Sequence, residues 1–185
     1  LRLLAAAAGS GLLAMAPAAS LAPAPPRVIF LDVGAGDAVL VQAPQAAVLV
    51  DGAVAIPGGL DLGRAVVVPA LRALGVESLD LVIASHADLD HRGGLPAVLA
   101  ALPVGALWLP RGGRRDPSFE ALLQAARAQR VPVYERGLGD PPQAVGALRI
   151  VPLWPPAEAG PLGRNDRSLV VRVDAPGARA LLPGD

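Results

Sequence analysis

Short apolar runs, each stopped by a turn rich in Gly, Pro or Asp, recur from Val28 to the end of the chain, and they restrict the fold more than any other feature. Val28-Ile29-Phe30-Leu31-Asp32-Val33 reads as a short buried strand closed by Gly34-Ala35-Gly36-Asp37. Residues 38–43 and 46–50 read as two more strands, turned at Pro44-Gln45. Residues 62–74 carry helical apolar spacing interrupted by Pro69, with Gly75 as a stop. Residues 79–84 are a buried strand, 95–101 a helix, 106–109 a strand and 117–130 a helix. Residues 131–134 and 148–153 are strands, and 168–173 with 178–182 form a hairpin around Asp174-Ala175-Pro176-Gly177. Hairpin strands followed by strands alternating with helices predict a mixed α/β sheet carrying helices.

The first residues have a different character. Residues 3–22 hold no charge and are rich in Ala and Leu. A run of about 20 apolar residues just spans a bilayer as a helix. Arg2 before it and Ser20-Leu21-Ala22-Pro23-Ala24 at its end also suit a secretion signal, and an unstructured Ala/Pro leader is the third reading. Pro23, Pro25 and Pro26 make a stiff linker. The chain therefore divides into an apolar membrane or leader segment with its linker, 1–26, and one domain, 27–185. A start at Leu1 and an end at Pro183-Gly184-Asp185, directly after an apolar run, predict a piece of a longer polypeptide.

Charge and composition exclude several classes. The 185 residues carry 16 Lys plus Arg against 16 Asp plus Glu, a net charge of zero, so bulk positive charge does not coat nucleic acid. No Cys is present, which removes disulfides, a Cys zinc knuckle and a thiol nucleophile. Gly34-Ala35-Gly36 lacks the third Gly of a dinucleotide loop and precedes a strand. No serine sits in a nucleophile elbow, and Ser85 reads simply as a strand-end residue. Trp108 and Trp154 read as core residues rather than base-stacking platforms.

The chemistry is concentrated in Ser85-His86-Ala87-Asp88-Leu89-Asp90-His91-Arg92-Gly93-Gly94, which holds both histidines of the chain. The segment follows an apolar strand, at the C-terminal end where open α/β sheets place ligands. Alternate residues of an extended loop point the same way, so His86, Asp88 and Asp90 converge, and His91 turns in as the next helix starts. Crowding two carboxylates and two imidazoles is unfavourable without a counter-charge. One or two divalent cations supply it. Imidazole with carboxylate suits zinc, manganese or iron, and the carboxylate-rich set leans to manganese.

His-x-Asp-x-Asp-His followed by Gly-Gly resembles the His-x-His-x-Asp-His motif of the metallo-β-lactamase fold, with Asp88 in place of the second His. Together with Phe30-Leu31-Asp32-Val33-Gly34-Ala35-Gly36-Asp37-Ala38, Leu49-Val50-Asp51-Gly52, Asn165-Asp166-Arg167-Ser168-Leu169-Val170 and Leu181-Leu182-Pro183-Gly184-Asp185, it is similar to the C-terminal hydrolase-like domain of the ComEC competence proteins. These are inner-membrane proteins implicated in DNA uptake during transformation. The resemblance implies an αββα sandwich, of which residues 27–185 would be about the first half, leaving an apolar sheet face uncovered.

The resemblance also implies roles. His86 and Asp88 would hold one metal, Asp90 and His91 a second, and Asp185 would bridge them, with Asp90 catalytic. The ions would be manganese or zinc. Asp51 would orient the histidine loop or end its strand. Asp37, Asn165 and Asp166 would lie near the metals. Arg111, Arg114 and Arg115 form a basic loop that is either a phosphate contact or a solvated surface. Ala35 stands where the family has Gln. The implied activity is hydrolysis of a phosphodiester in the DNA strand that is not imported. Single-stranded DNA, the membrane and other competence proteins would be the partners, on the periplasmic side of the inner membrane. Two rivals are a hydrolase of a lactone, thioester or β-lactam on the same fold, and a degenerate module that guides DNA or docks a partner without catalysis.

Overall fold

The structure, a computed structural model, describes residues 24–158, 163 and 165–185. The apolar segment 3–22 lies outside the described residues. Among those described, no helix is long and apolar enough to cross a membrane.

Two sheets form the frame. Strands β1 (Arg27–Phe30), β2 (Val39–Ala43) and β3 (Ala46–Val50) run as an antiparallel meander, turned at Gln45 with φ 59°. Strands β4 (Leu81–Ile83), β5 (Leu107–Pro110) and β6 (Val133–Arg136) then add in parallel, giving a six-stranded sheet in the order β1-β2-β3-β4-β5-β6. Strands β7 (Gln143–Val145), β8 (Leu148–Trp154), β9 (Val170–Ala175) and β10 (Ala178–Leu182) make a second, wholly antiparallel sheet in the order β10-β9-β8-β7. The sequence pattern predicts one mixed sheet. The second arises because β8 and β9 bury alternate residues, Leu148, Ile150 and Pro152 with Val171 and Val173, and so bury one face only, against the first sheet.

The central strands are apolar on both faces for the same reason. Successive side chains point to opposite sides of a strand. Leu40, Leu49, Val82, Leu107 and Leu109 face the helices, packing with Leu71, Leu95, Val98, Phe119 and Leu122. Their neighbours Val39, Val41, Val48, Val50, Leu81, Ile83 and Trp108 face the second sheet and meet Leu148, Ile150, Val171, Val173 and Leu182. The described layers are thus helix, sheet, sheet. Trp108 lies fully in the inter-sheet core, as its apolar neighbours suggest.

The helical layer comprises α1 (Val68–Ala73), α2 (Leu89–Arg92), α3 (Leu95–Ala101) and α4 (Glu120–Ala128). Pro69 does not interrupt a helix over 62–74; it sits in the first turn of α1, where a missing N–H is tolerated. The residues before it, Gly63–Val67, wind as a π-helical turn instead. A 3₁₀ turn, Pro117–Phe119, precedes α4.

The segment 28–33 is not a buried strand. Only Arg27–Phe30 pairs, and it is the sheet edge, leaving Phe30 72% and Val28 39% exposed. The uncovered face of the second sheet is mixed rather than apolar. Leu181 is 59% exposed, while Arg149, Arg172 and Arg179 gather around Asp174.

Candidate metal centre

Strands β3 and β4 run side by side and in parallel, so their C-terminal ends deliver Asp51 and Ser85-His86 to one edge of the sheet. Asp51 continues the ladder through its N–H to Ile83 O (2.8 Å) and then turns left-handed, with φ 60°. Asp is among the few side-chain residues that adopt this conformation readily. The turn aims its carboxylate into the protein, where it is 2% exposed.

That carboxylate takes three hydrogen bonds. Oδ1 accepts from Ser85 N–H at 2.7 Å, and Oδ2 accepts from the Ser85 hydroxyl at 2.6 Å. His91 Nδ1 lies 3.0 Å from the same Oδ2. Ser85 Oγ lies 2.8 Å from His86 Nδ1. The network assigns the tautomers. Asp51 can only accept, so His91 Nδ1 carries the proton. The Ser85 hydroxyl gives its proton to Asp51, so its oxygen accepts from His86 Nδ1–H. In the neutral form of either ring the lone pair then falls on Nε2, which points away from Asp51. Ser85 is the residue that sequence reasoning missed. A serine directly before the first histidine at a strand end was its only signal.

Close packing of glycine places the loop. A Cβ on Gly36, which has φ +81°, would lie 1.7 Å from the Asp90 carbonyl oxygen, so the Gly34–Asp37 turn lies directly on the histidine segment. A Cβ on Gly94 would lie 2.0 Å from Gly52 O and 2.6 Å from Gly63 Cα. Three chain segments thus meet backbone to backbone behind α2, and Gly52 N–H donates to His91 O at 2.7 Å.

On the Nε2 side stand the remaining acids. Asp185 reaches both rings, with Oδ1 3.3 Å from His91 Nε2 and Oδ2 3.9 Å from His86 Nε2. Asp88 Oδ2 is 3.7 Å from His86 Nε2, and Asp90 Oδ2 is 3.9 Å from His91 Nε2. Asp88 occupies the N-cap position of α2 without capping it through its side chain. Asp37, His91 and Asp185 bring ligand atoms within 4.8 Å of one another. Asp51, His86 and His91 do so too, but Asp51 is engaged by its three bonds. The imidazole rings lie 4.1 Å apart, centre to centre.

The site fits a divalent cation on the chemistry of this donor set. His86 Nε2 is fully buried with no hydrogen-bond partner, a costly state for a polar atom in the absence of a ligand. Asp88, Asp90 and Asp185 Oδ2 stand 3.7–3.9 Å from the nearest imidazole Nε2, too far for hydrogen bonds yet close enough to share an ion, and Asp185 Oδ1 stands at 3.3 Å. Burial by itself lowers the pKa of His91, but the hydrogen bond to Asp51 and the charges of Asp51, Asp185 and Asp90 outweigh it. They raise the imidazole from 6.5 to about 9. Without a cation, a proton takes the counter-ion's place.

Other sequence candidates lie outside the ligand groups, with Arg111 and the Asn165–Arg167 turn beside His86. Asn165 and Asp166 lie on an exposed 3₁₀ turn before β9, bonded locally: Asn165 O accepts from Ser168 N–H, and Asp166 O from Trp154 Nε1–H. Among the described residues Asp166 belongs to neither ligand group, and nor do Asp88 and Asp90. Arg114 bends back to donate to Val133 O, and Arg115 is exposed. Arg111 pairs with Asp140 at 2.9 Å.

Residues 31–185 match the Metallo-beta-lactamase superfamily. The chain belongs to that superfamily. A solved metallo-β-lactamase from Cronobacter sakazakii, an engineered motif mutant, superposes with a TM-score of 0.58 at 17% identity, covering 86% of this chain and 63% of that one. This metallo-β-lactamase-fold chain is 34% identical to ComE operon protein 3 of Bacillus subtilis over 86% of its length. It is 31% identical to the competence protein ComA of Neisseria gonorrhoeae over 85%. The resemblance to the competence family is therefore borne out. The chain spans about a fifth of these relatives, 22% and 19% of their lengths. The superfamily consists generally of metal-dependent hydrolases, and the paired imidazoles here lie among the acids such chemistry uses.

Proposed function

We propose that this chain is the metal-dependent phosphodiesterase domain of a membrane competence protein, cutting the DNA strand that is not imported. The observation that carries the reading is the pair of Nε2 atoms, both oriented through Asp51 and both facing the two oxygens of Asp185. His86 with Asp88 would hold one cation and His91 with Asp90 a second, with Asp185 between them and Asp37 beside them. When bound, manganese or zinc supplies Lewis acidity and a water acidic enough to react near neutral pH.

The chain's own residues do the rest. Asp51 and Ser85 hold the imidazoles in one tautomer and one orientation. Asp90, on the open side, takes the proton from the attacking water. Water oxygen bonds to phosphorus as the bond from phosphorus to the leaving sugar oxygen breaks, and that oxygen takes a proton from solvent. Single-stranded DNA is the substrate, and the setting is the periplasmic side of the inner membrane with other competence proteins as partners. The relatives' names support this choice over a lactone, thioester or β-lactam.

Single-stranded oligonucleotide and nitrocefin, tested side by side with added manganese, decide the matter. Cleavage of the oligonucleotide alone, lost in Asp90→Ala, is expected. Turnover of nitrocefin alone would assign the second substrate class. No turnover of either, with no metal bound, would leave a docking module.

A further inference from the structure

A cleft of about 310 Å³ opens beside His86, between the loop after β5 and the turn before β9. His86, Asp116, Phe119, Arg111 and Arg167 line it. Its one carboxylate, Asp116, caps the following turn, with Oδ1 accepting from Ser118 N–H at 2.9 Å. Arg111 is clamped from behind. Its Nη2 donates to Asp140 Oδ2 at 2.9 Å and to Leu138 O at 3.2 Å. A Cβ on Gly137 would lie 2.7 Å from its Nε, so the guanidinium is seated on bare backbone. Arg167 closes the cleft from the other side, on an exposed turn anchored by Trp154 Nε1–H to Asp166 O at 2.6 Å. Two guanidiniums thus flank a recess that ends at a candidate metal ligand.

We propose that this cleft is an anion subsite that holds the backbone phosphate neighbouring the scissile one, through Arg111 and Arg167. The inference rests on the phosphodiesterase reading and adds to it a direction: the strand leaves the metal centre over His86 toward Arg167. Around the centre stand Asp37, Asp88, Asp90 and Asp185, which without cations repel a polyanion. A second phosphate seated between two arginines offsets that repulsion and fixes the strand's register, because a guanidinium fork matches phosphate geometry. A substrate with a single phosphate makes no use of the cleft.

The test separates the subsite from the hydrolysis. Binding of a single-stranded oligothymidylate is measured by anisotropy in EDTA, where no cleavage occurs, across a salt series. Each neutralised phosphate contributes a slope of about −0.7 in log affinity against log salt for single strands. Arg167→Ala is expected to reduce the slope by about that amount and Arg167→Lys to keep it. Arg149→Ala, at the opposite end of the second sheet, is expected to leave it unchanged. With manganese, Arg167→Ala raises KM for the oligonucleotide and spares bis(p-nitrophenyl) phosphate. The subsite is overturned if wild-type protein binds no oligonucleotide, if Arg167→Ala leaves the slope unchanged, or if Arg149→Ala lowers it equally. An arginine-dependent slope without hydrolysis would keep the subsite and remove the phosphodiesterase reading. Hydrolysis with an unaltered slope would do the reverse.

Discussion

Asp51 Oδ2 stands 3.0 Å from His91 Nδ1, with both side chains within 3% of complete burial. This one contact sets which nitrogen of His91 faces the open side of the site. Through Ser85 the same carboxylate sets His86 as well. A residue that touches no substrate therefore governs both imidazoles.

Replacing Asp51 by Ala is expected to strip the Ser85 N–H, the Ser85 hydroxyl and His91 Nδ1 of their acceptor at once. Removing one partner from a buried charged pair costs about 3–5 kcal/mol. Chemical denaturation in EDTA should show a loss of that size. Asp51→Asn keeps the shape and loses less stability. Its metal affinity should still fall by about 10- to 100-fold, the usual effect of losing an orienting partner. Unchanged zinc affinity in Asp51→Asn would count against the orienting role.

The metal-free chain should lose stability as pH rises. His91 titrates near 6.5 when unfolded and near 9 when folded. Its folded pKa is the higher, so its contribution is fully present below pH 6.5 and disappears as pH climbs through 9. The ceiling on that contribution is roughly 3 kcal/mol. Denaturation midpoints at pH 6 and pH 9.5, compared with those of His91→Gln, measure it. A midpoint that rises over this range in the wild type would contradict the ion pair. The same proton must leave when a cation arrives, so zinc affinity should increase with pH, with protons released into the buffer.

Gly36→Ala tests the contact between the Gly34–Asp37 turn and the histidine segment. The residue has φ +81° and lies against the Asp90 backbone, so an added methyl both strains the turn and pushes it away. Loss of metal affinity together with a stability loss above about 1 kcal/mol is expected. Gly34→Ala, with open space around its Cβ, should cost the backbone strain alone and leave metal affinity near the wild-type value.

The histidine segment was legible because two imidazoles and two carboxylates in so short a stretch, between an apolar strand and Gly-Gly, have few other uses. Asp51 was legible only as an alternative. A strand-ending Asp is common in turns, and only the parallel pairing of β3 with β4 turns its carboxylate toward Ser85. The central strands were easy to find because they are apolar throughout. Phe30 misled for the same reason: an apolar residue in a strand pattern does not reveal that the strand is an edge. The division into two sheets was implied by the family resemblance and is borne out, whereas the strand pattern alone suggested one sheet, because pairing between distant strands leaves no local mark. Asn165 and Asp166 were placed near the metals by motif position; their turn satisfies its own backbone hydrogen bonds and borders the cleft beside His86.

The central claim is that Nε2 of both histidines is held open for a cation. The chain contains 2 His, so its imidazole nitrogen spectrum has few resonances to assign. A zinc titration followed by nitrogen-15 NMR reads each ring atom directly. The account predicts that Nε2 of His86 and Nε2 of His91 both shift to metal-bound positions while both Nδ1 atoms keep their protons. Nε2 resonances that stay put at saturating zinc, or coordination through Nδ1 with loss of its proton, would contradict it.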